Sequence, residues 1–212
     1  IARIYGYDKI PANELPGEVP TVVDQSIFEL LEKVKTNGVE LGLTQVESYS
    51  FFSSAVLDKF GWPKEKLVKV QNPMSKETKY LRDSIWPNLV EIIGRNIRQG
   101  FSDIAIFELG KNYYQKDGQP AENHTLALGL MNGSDNPVAE LHKIARELFT
   151  KIAVDVQFTP SEAYPEVKNL MHPTRFMKLT LNGKESGGLS EIHPRVLDKF
   201  GISQRVAILE LQ

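Results

Sequence analysis

The runs in this chain that read as β-strands are short and joined by turns, not by the long helical crossovers that parallel strands require. That feature restricts the chain to a mostly antiparallel sheet with helices packed on it, an α+β architecture. Strand-like runs fall at 45–52, 67–70, 103–109, 111–115, 124–131, 154–158, 176–181, 186–192 and 206–211. Gly110, between two of them, is expected to kink or bulge the chain. Three long amphipathic stretches supply the helical layer. The first spans 24–41, with Asp24 as N-cap, Ile27, Leu30, Leu31 and Val34 at helical spacing, and Gly42 as its stop. Asn37-Gly38 weakens its second half. The second, 87–98, opens on Pro87, aligns Leu89, Ile92, Ile93 and Ile97, and ends before Gly100. The third, 137–152, carries Leu141, Ile144, Ala145 and Leu148 on one side. Shorter helices at 55–60 and 194–200 stop at Gly61 and Gly201. Residues 1–20, with Pro11, Pro16 and Pro20, read as the tail of a preceding domain and an ordered linker, and 21–212 as the core domain.

A chain of 212 residues, 41 % apolar and 25 % charged, can bury a sizeable core. Its formal net charge of −2 argues against a freestanding nucleic-acid binder that works by neutralising phosphates. There is no cysteine, which excludes disulfides and thiolate metal sites and is compatible with the expected cytoplasmic location. No apolar run approaches the ~20 residues needed to span a bilayer. The opening Ile1-Ala2-Arg3-Ile4-Tyr5 is no signal peptide and has no initiator Met, so an excised piece of a longer polypeptide is expected.

The chemistry-bearing residues are sparse. His124, His142, His172 and His193 include no pair at the i, i+4 spacing of a helical metal site, and His142 reads as a solvent-side residue. Phosphate loops and nucleophile elbows are missing, and Gly187-Gly188 reads as a bulge at a strand start. Glu108 lies between apolar Phe107 and Leu109, and a carboxylate placed there needs a partner, either Arg82 or Arg95. The segment 72–84 ends just before a helix. It is expected to present Arg82 beside a helix N-terminus that can collect an anion, unless Asp83 or Ser84 simply caps that helix.

Taken in order, Asn72-Pro73-Met74-Ser75, Leu81-Arg82-Asp83-Ser84, Arg95-Asn96 and Phe107-Glu108-Leu109-Gly110-Lys111 closely resemble the core of bacterial phenylalanyl-tRNA synthetase β subunits. The opening Arg3-Ile4-Tyr5-Gly6-Tyr7-Asp8-Lys9-Ile10-Pro11 and the later Glu191-Ile192-His193-Pro194-Arg195-Val196-Leu197 extend the resemblance over essentially the whole chain. It implies the class II synthetase fold, an antiparallel sheet flanked by helices. It also implies structural roles for Arg82, Arg95, Asn96, Glu108, His193 and Pro194. The helix from Asp24 and the strand from Gln45 would stand for motif 1, which builds subunit interfaces, with Phe28, Leu31, Val34 and Lys35 as the face towards a catalytic α subunit. The family assembles as an (αβ)₂ heterotetramer that receives tRNA(Phe), and its ATP, Mg²⁺ and phenylalanine are held by the α subunit, leaving no cofactor here.

Adenylate formation concentrates negative charge on phosphates and needs Arg, Lys or metal donors. At the motif 2 position the chain has Phe107-Glu108-Leu109-Gly110-Lys111-Asn112-Tyr113-Tyr114, without the Phe-Arg-x-Glu of a working site. At the motif 3 position Val206-Ala207-Ile208-Leu209-Glu210-Leu211 has no glycine and no arginine after Glu210, and its bulky side chains are expected to fill the nucleotide space. A non-catalytic domain is therefore expected. The alternatives are an ATP-using adenylate-forming enzyme and an effector-binding regulatory subunit on the same fold.

Overall fold

A computed structural model describes residues 1–12, 17, 24–75 and 78–212. The order is α1 (Ala2–Tyr5), α2 (Ser26–Glu40), β1 (Thr44–Gln45), β2 (Phe51–Phe52), α3 (Ser54–Phe60), β3 (Tyr80–Leu81), α4 (Trp86–Arg98), β4 (Ile104–Lys116) and β5 (Gln119–Met131). There follow α5 (Pro137–Lys151), β6 (Val156–Pro160), β7 (Met171–Leu181), β8 (Lys184–Ile192), α6 (Pro194–Asp198) and β9 (Ala207–Leu211). Single 3₁₀ turns lie at Tyr7–Lys9 and Lys64–Lys66. Pro16 and Pro20 of the expected linker fall outside the described residues.

Seven strands form one sheet in the order β1-β4-β5-β9-β8-β7-β6. Every pairing is antiparallel except that of β1 with β4. The α+β reading therefore holds. The chain enters β5 from β4 through Asp117 and Gly118, whose φ angles of 52° and 76° make the two-residue hairpin turn that follows the sheet's twist.

Alternation along the strands sorts side chains between two cores. Ile104, Ile106, Ala127, Met131 and Ile208 face α3, α4 and α6, whereas Phe107, Leu126, Leu128, Leu130 and Leu209 face the side covered by α2 and α5. From Thr125 onward β5 is thus buried on both faces, a pattern antiparallel strands adopt only when helices cover both sides.

Several expectations need correction. The run 45–52 is not one strand: Gln45 pairs with Phe107 in the large sheet, while Phe51 pairs with Leu81 in a separate two-stranded one. Between them Ser48 is held by buried partners, which carries the backbone from one sheet to the other. The run 67–70 contributes only an isolated bridge, Lys69 to Tyr80. Residues 104–116 form a single strand straight through Gly110. Helix α2 does not break at Asn37-Gly38, because a Cβ at Gly38 would lie 3.2 Å from the Phe107 ring and its absence lets helix and sheet approach. His142 is half-buried, with its ring 4.6 Å edge-on from that of Phe158.

Candidate functional site

Period-two alternation places Glu108, Gly110 and Asn112 of β4 on the α4 side of the sheet, with Glu210 of β9 on the same side. These groups lie under the start of α4. The partner of Glu108 is Arg82: Nη1 lies 2.8 Å from Oε1, and both side chains are 2 % exposed. The same Nη1 donates to Ser48 Oγ at 2.7 Å, Nε donates to the Lys111 carbonyl at 3.2 Å, and the Ser48 hydroxyl donates to Glu108 Oε2 at 2.7 Å. Asn88 Nδ2 also donates to Ser48 Oγ. Gly110 is the floor of this network, since a Cβ there would overlap the Arg82 guanidinium. Its role is close approach, not a kink.

The start of α4 does collect an anion, but the anion belongs to the chain. The Glu210 carboxylate accepts from the backbone N–H groups of Ile85 (2.7 Å) and Trp86 (3.1 Å) and from Ser84 Oγ (3.0 Å). Neither Arg82 nor Asp83 takes part, and the N-cap residue, Ile85, has no side-chain cap. Burial pushes the Glu210 carboxyl up, opposed by these N–H groups and by Ser84.

Beside Glu210 opens a cavity of about 190 Å³. Its walls carry Trp62, Trp86, Tyr164 and Phe176, and its polar groups include Asp83, Ser84, Glu210 and Gln212. Gly187 and Gly188 pave its sheet side. They sit within β8, opposite Leu211 and Glu210, and not at a strand start. A Cβ at Gly187 would overlap the Glu210 carbonyl, and one at Gly188 would lie 2.7 Å from the Phe176 ring. A register shift does precede Gly187, leaving Ser186 without an opposite residue on β7. Space therefore survives where the sequence suggested it was filled, because these glycines offset the bulk of Ile208. Asp83 accepts from Trp62 Nε1 at 3.0 Å. Burial, helped by the negative Glu210, pushes its carboxyl up to about 6. Among the described residues no Arg, Lys or His lines the cavity. Its charge suits a nucleotide triphosphate poorly, and no group of three or more His, Cys, Asp or Glu able to hold a metal occurs among the described residues.

The other sequence-derived positions do not converge here. Arg95 is exposed and 3.8 Å from Glu91, whereas Asn96 Nδ2 donates to the Ile92 carbonyl of its own helix. His193 caps α6, its Nδ1 accepting from Arg195 N–H at 3.1 Å, and Pro194 is the first helical residue. On α2, Phe28 is 63 % exposed and Leu31 and Lys35 partly so, but Val34 is 5 % exposed and packs in the core with Phe107. Ile27 and Leu30, not Val34, continue the open apolar face. Sequence reasoning missed Glu210, Trp62, Asp83 and Tyr164 as one site. For Glu210 a signal was present: a lone acid in an apolar strand, the same signal that singled out Glu108.

Solved structures with this architecture place the chain first in a class. Two structures of pyrrolysyl-tRNA synthetase from Desulfitobacterium hafniense superpose with a TM-score of 0.69 each, at 20 % and 18 % identity, over 88 % of this chain and 64 % and 66 % of theirs. The fold is that of a class II aminoacyl-tRNA synthetase. A family model described as the phenylalanyl tRNA synthetase beta chain CLM domain matches residues 10–212, and the chain belongs to that family. The phenylalanine–tRNA ligase beta subunits of Moorella thermoacetica and Clostridium tetani are each 31 % identical over all of this chain. The chain spans 28 % and 27 % of their lengths. No helix among the described residues is long and apolar enough to cross a membrane.

Proposed function

We propose that this chain is a non-catalytic core domain of a phenylalanine–tRNA ligase β subunit that docks the catalytic α subunit in an (αβ)₂ assembly. The assembly would act on tRNA(Phe) in the cytoplasm, with ATP and Mg²⁺ held by α. One observation carries the non-catalytic reading. The cleft on the sheet presents the carboxylates of Asp83 and Glu210 where phosphates would need cations, and Arg82 is committed to Glu108. Against the adenylate-forming alternative stands the absence of any Arg, Lys or His among the described residues that line this cleft. Docking is supported by the open apolar residues Ile27, Phe28 and Leu30 on α2, because an exposed Phe among other large apolar side chains marks an interaction surface.

Co-purification of the full-length polypeptide with a co-expressed α subunit, combined with calorimetric titration of the 212-residue chain with MgATP, tests both halves. Phe28→Asp should abolish co-purification and leave the circular dichroism spectrum unchanged, since the side chain is solvent-facing. Saturable MgATP binding by the chain would overturn the non-catalytic reading. Undiminished α capture by Phe28→Asp would overturn the docking face.

A further inference from the structure

The cavity beside Glu210 has a chemistry of its own. Both tryptophans of the chain line it, together with Tyr164 and Phe176. Rings of this kind attract cations to their π faces, most strongly where water is excluded. Two carboxylates, Asp83 and Glu210, reach the same space, and no positive side chain among the described residues lines it to neutralise them. Lys66 acts on Asp83 through space, but it lies outside the lining and is exposed. Glu210 has its donors from the start of α4 and Ser84. Asp83 accepts from Trp62 Nε1, 3.0 and 3.4 Å from its two oxygens, and from its own backbone N–H, which leaves lone pairs for a further donor.

We propose that this cavity binds a small organic cation, a primary or substituted ammonium group on a short apolar or aromatic body, with the ammonium against Asp83 and the body among Trp62, Trp86 and Tyr164. An ammonium supplies the countercharge that partly buried Asp83 and buried Glu210 lack, and its charge-assisted hydrogen bonds are stronger than those of a neutral donor. A volume of about 190 Å³ accommodates a body of one ring. A free carboxylate on the ligand is repelled by Asp83 and Glu210, so an amino-acid zwitterion is a poor occupant and its decarboxylated amine a good one. The site goes beyond the docking role and does not require it.

The test uses benzylamine as probe, with benzyl alcohol and benzoate as neutral and anionic matches of the same shape. The 212-residue protein carrying 5-fluorotryptophan has two fluorine signals, one for each wall residue, so the readout is local. Benzylamine should move both signals saturably in the millimolar range, and the two controls should not. Asp83→Asn retains an acceptor for Trp62 and should weaken benzylamine about tenfold or more, with its fold verified by circular dichroism. Absence of a saturable shift, an equal response to benzyl alcohol or benzoate, or unchanged binding by Asp83→Asn each overturns the proposal. The comparison among the three probes in the unmodified protein decides the matter even if the variant fails to fold. MgATP binding would count against the non-catalytic reading, whereas silence to benzylamine would count against this site alone.

Discussion

Replacing Arg82 with Met leaves the Glu108 carboxylate buried at 2 % exposure with no cation, only Ser48 Oγ remaining as a side-chain donor. Removing one member of a buried ion pair typically costs about 3–5 kcal/mol, far more than the pair itself contributes to stability. Arg82 also gives up its bond to the Lys111 carbonyl, which adds about 1 kcal/mol. Glu108→Leu strands the guanidinium in the same way and should cost about as much. The double variant Arg82→Met/Glu108→Leu removes both charges. Its cost should then be roughly 1–3 kcal/mol, from unpaired Ser48 and imperfect packing, well below the roughly 7–11 kcal/mol sum of the single changes. Urea unfolding followed by circular dichroism reads these values directly. At roughly 2–3 kcal/mol per molar, each single variant should lower the midpoint by about 1–3 M, with the double variant recovering most of that. Additive single effects, or a single-variant loss below about 1 kcal/mol, would refute the reasoning. Either result means that water reaches the pair.

Two further outcomes follow from neighbouring positions. Gly110→Ala drives a Cβ into the Arg82 guanidinium and should destabilise the protein by about 2 kcal/mol or more, although the same change in an open strand is mild; thermal unfolding checks it. Asp83, raised from an ordinary 3.8 to about 6 by burial, holds its proton more tightly folded than unfolded. Stability should therefore fall as pH rises from about 4 to 6 and stay level above that, the displacement corresponding to roughly 3 kcal/mol. Asp83→Asn should flatten this slope and raise the melting temperature at neutral pH. Parallel melting curves for the two proteins across pH 4–7.5 would contradict the assigned burial.

The helices were legible because their signals are local. Pro87 and Pro137 occupy first turns, Asn136 accepts from Ala139 N–H at 3.3 Å, and Gly42, Gly61 and Gly100 take positive φ at the stops. The antiparallel character followed from turn spacing, and the need of Glu108 for a partner followed from the cost of a buried charge. The choice between Arg82 and Arg95 depended on which faces inward, a tertiary fact. The Glu210 bond to the start of α4 joins residues 124 to 126 positions apart, and no pattern in a short window carries that distance. Gly110 and Gly187 failed as local signals for the same reason. Their conformations are ordinary, and it is a distant guanidinium and a distant carbonyl that forbid a side chain.

Within this segment, the strand made last is the middle strand of the large sheet. β9 joins the β4–β5 hairpin to the β6–β7–β8 meander, and it also brings the carboxylate that completes the first turn of α4. Until those final residues emerge, the nascent polypeptide holds two half-sheets with unzipped edges and a helix with bare amide groups. Assembly of this segment must therefore wait until β9 has been made, and removing Ala207–Leu211 would be felt by the whole sheet.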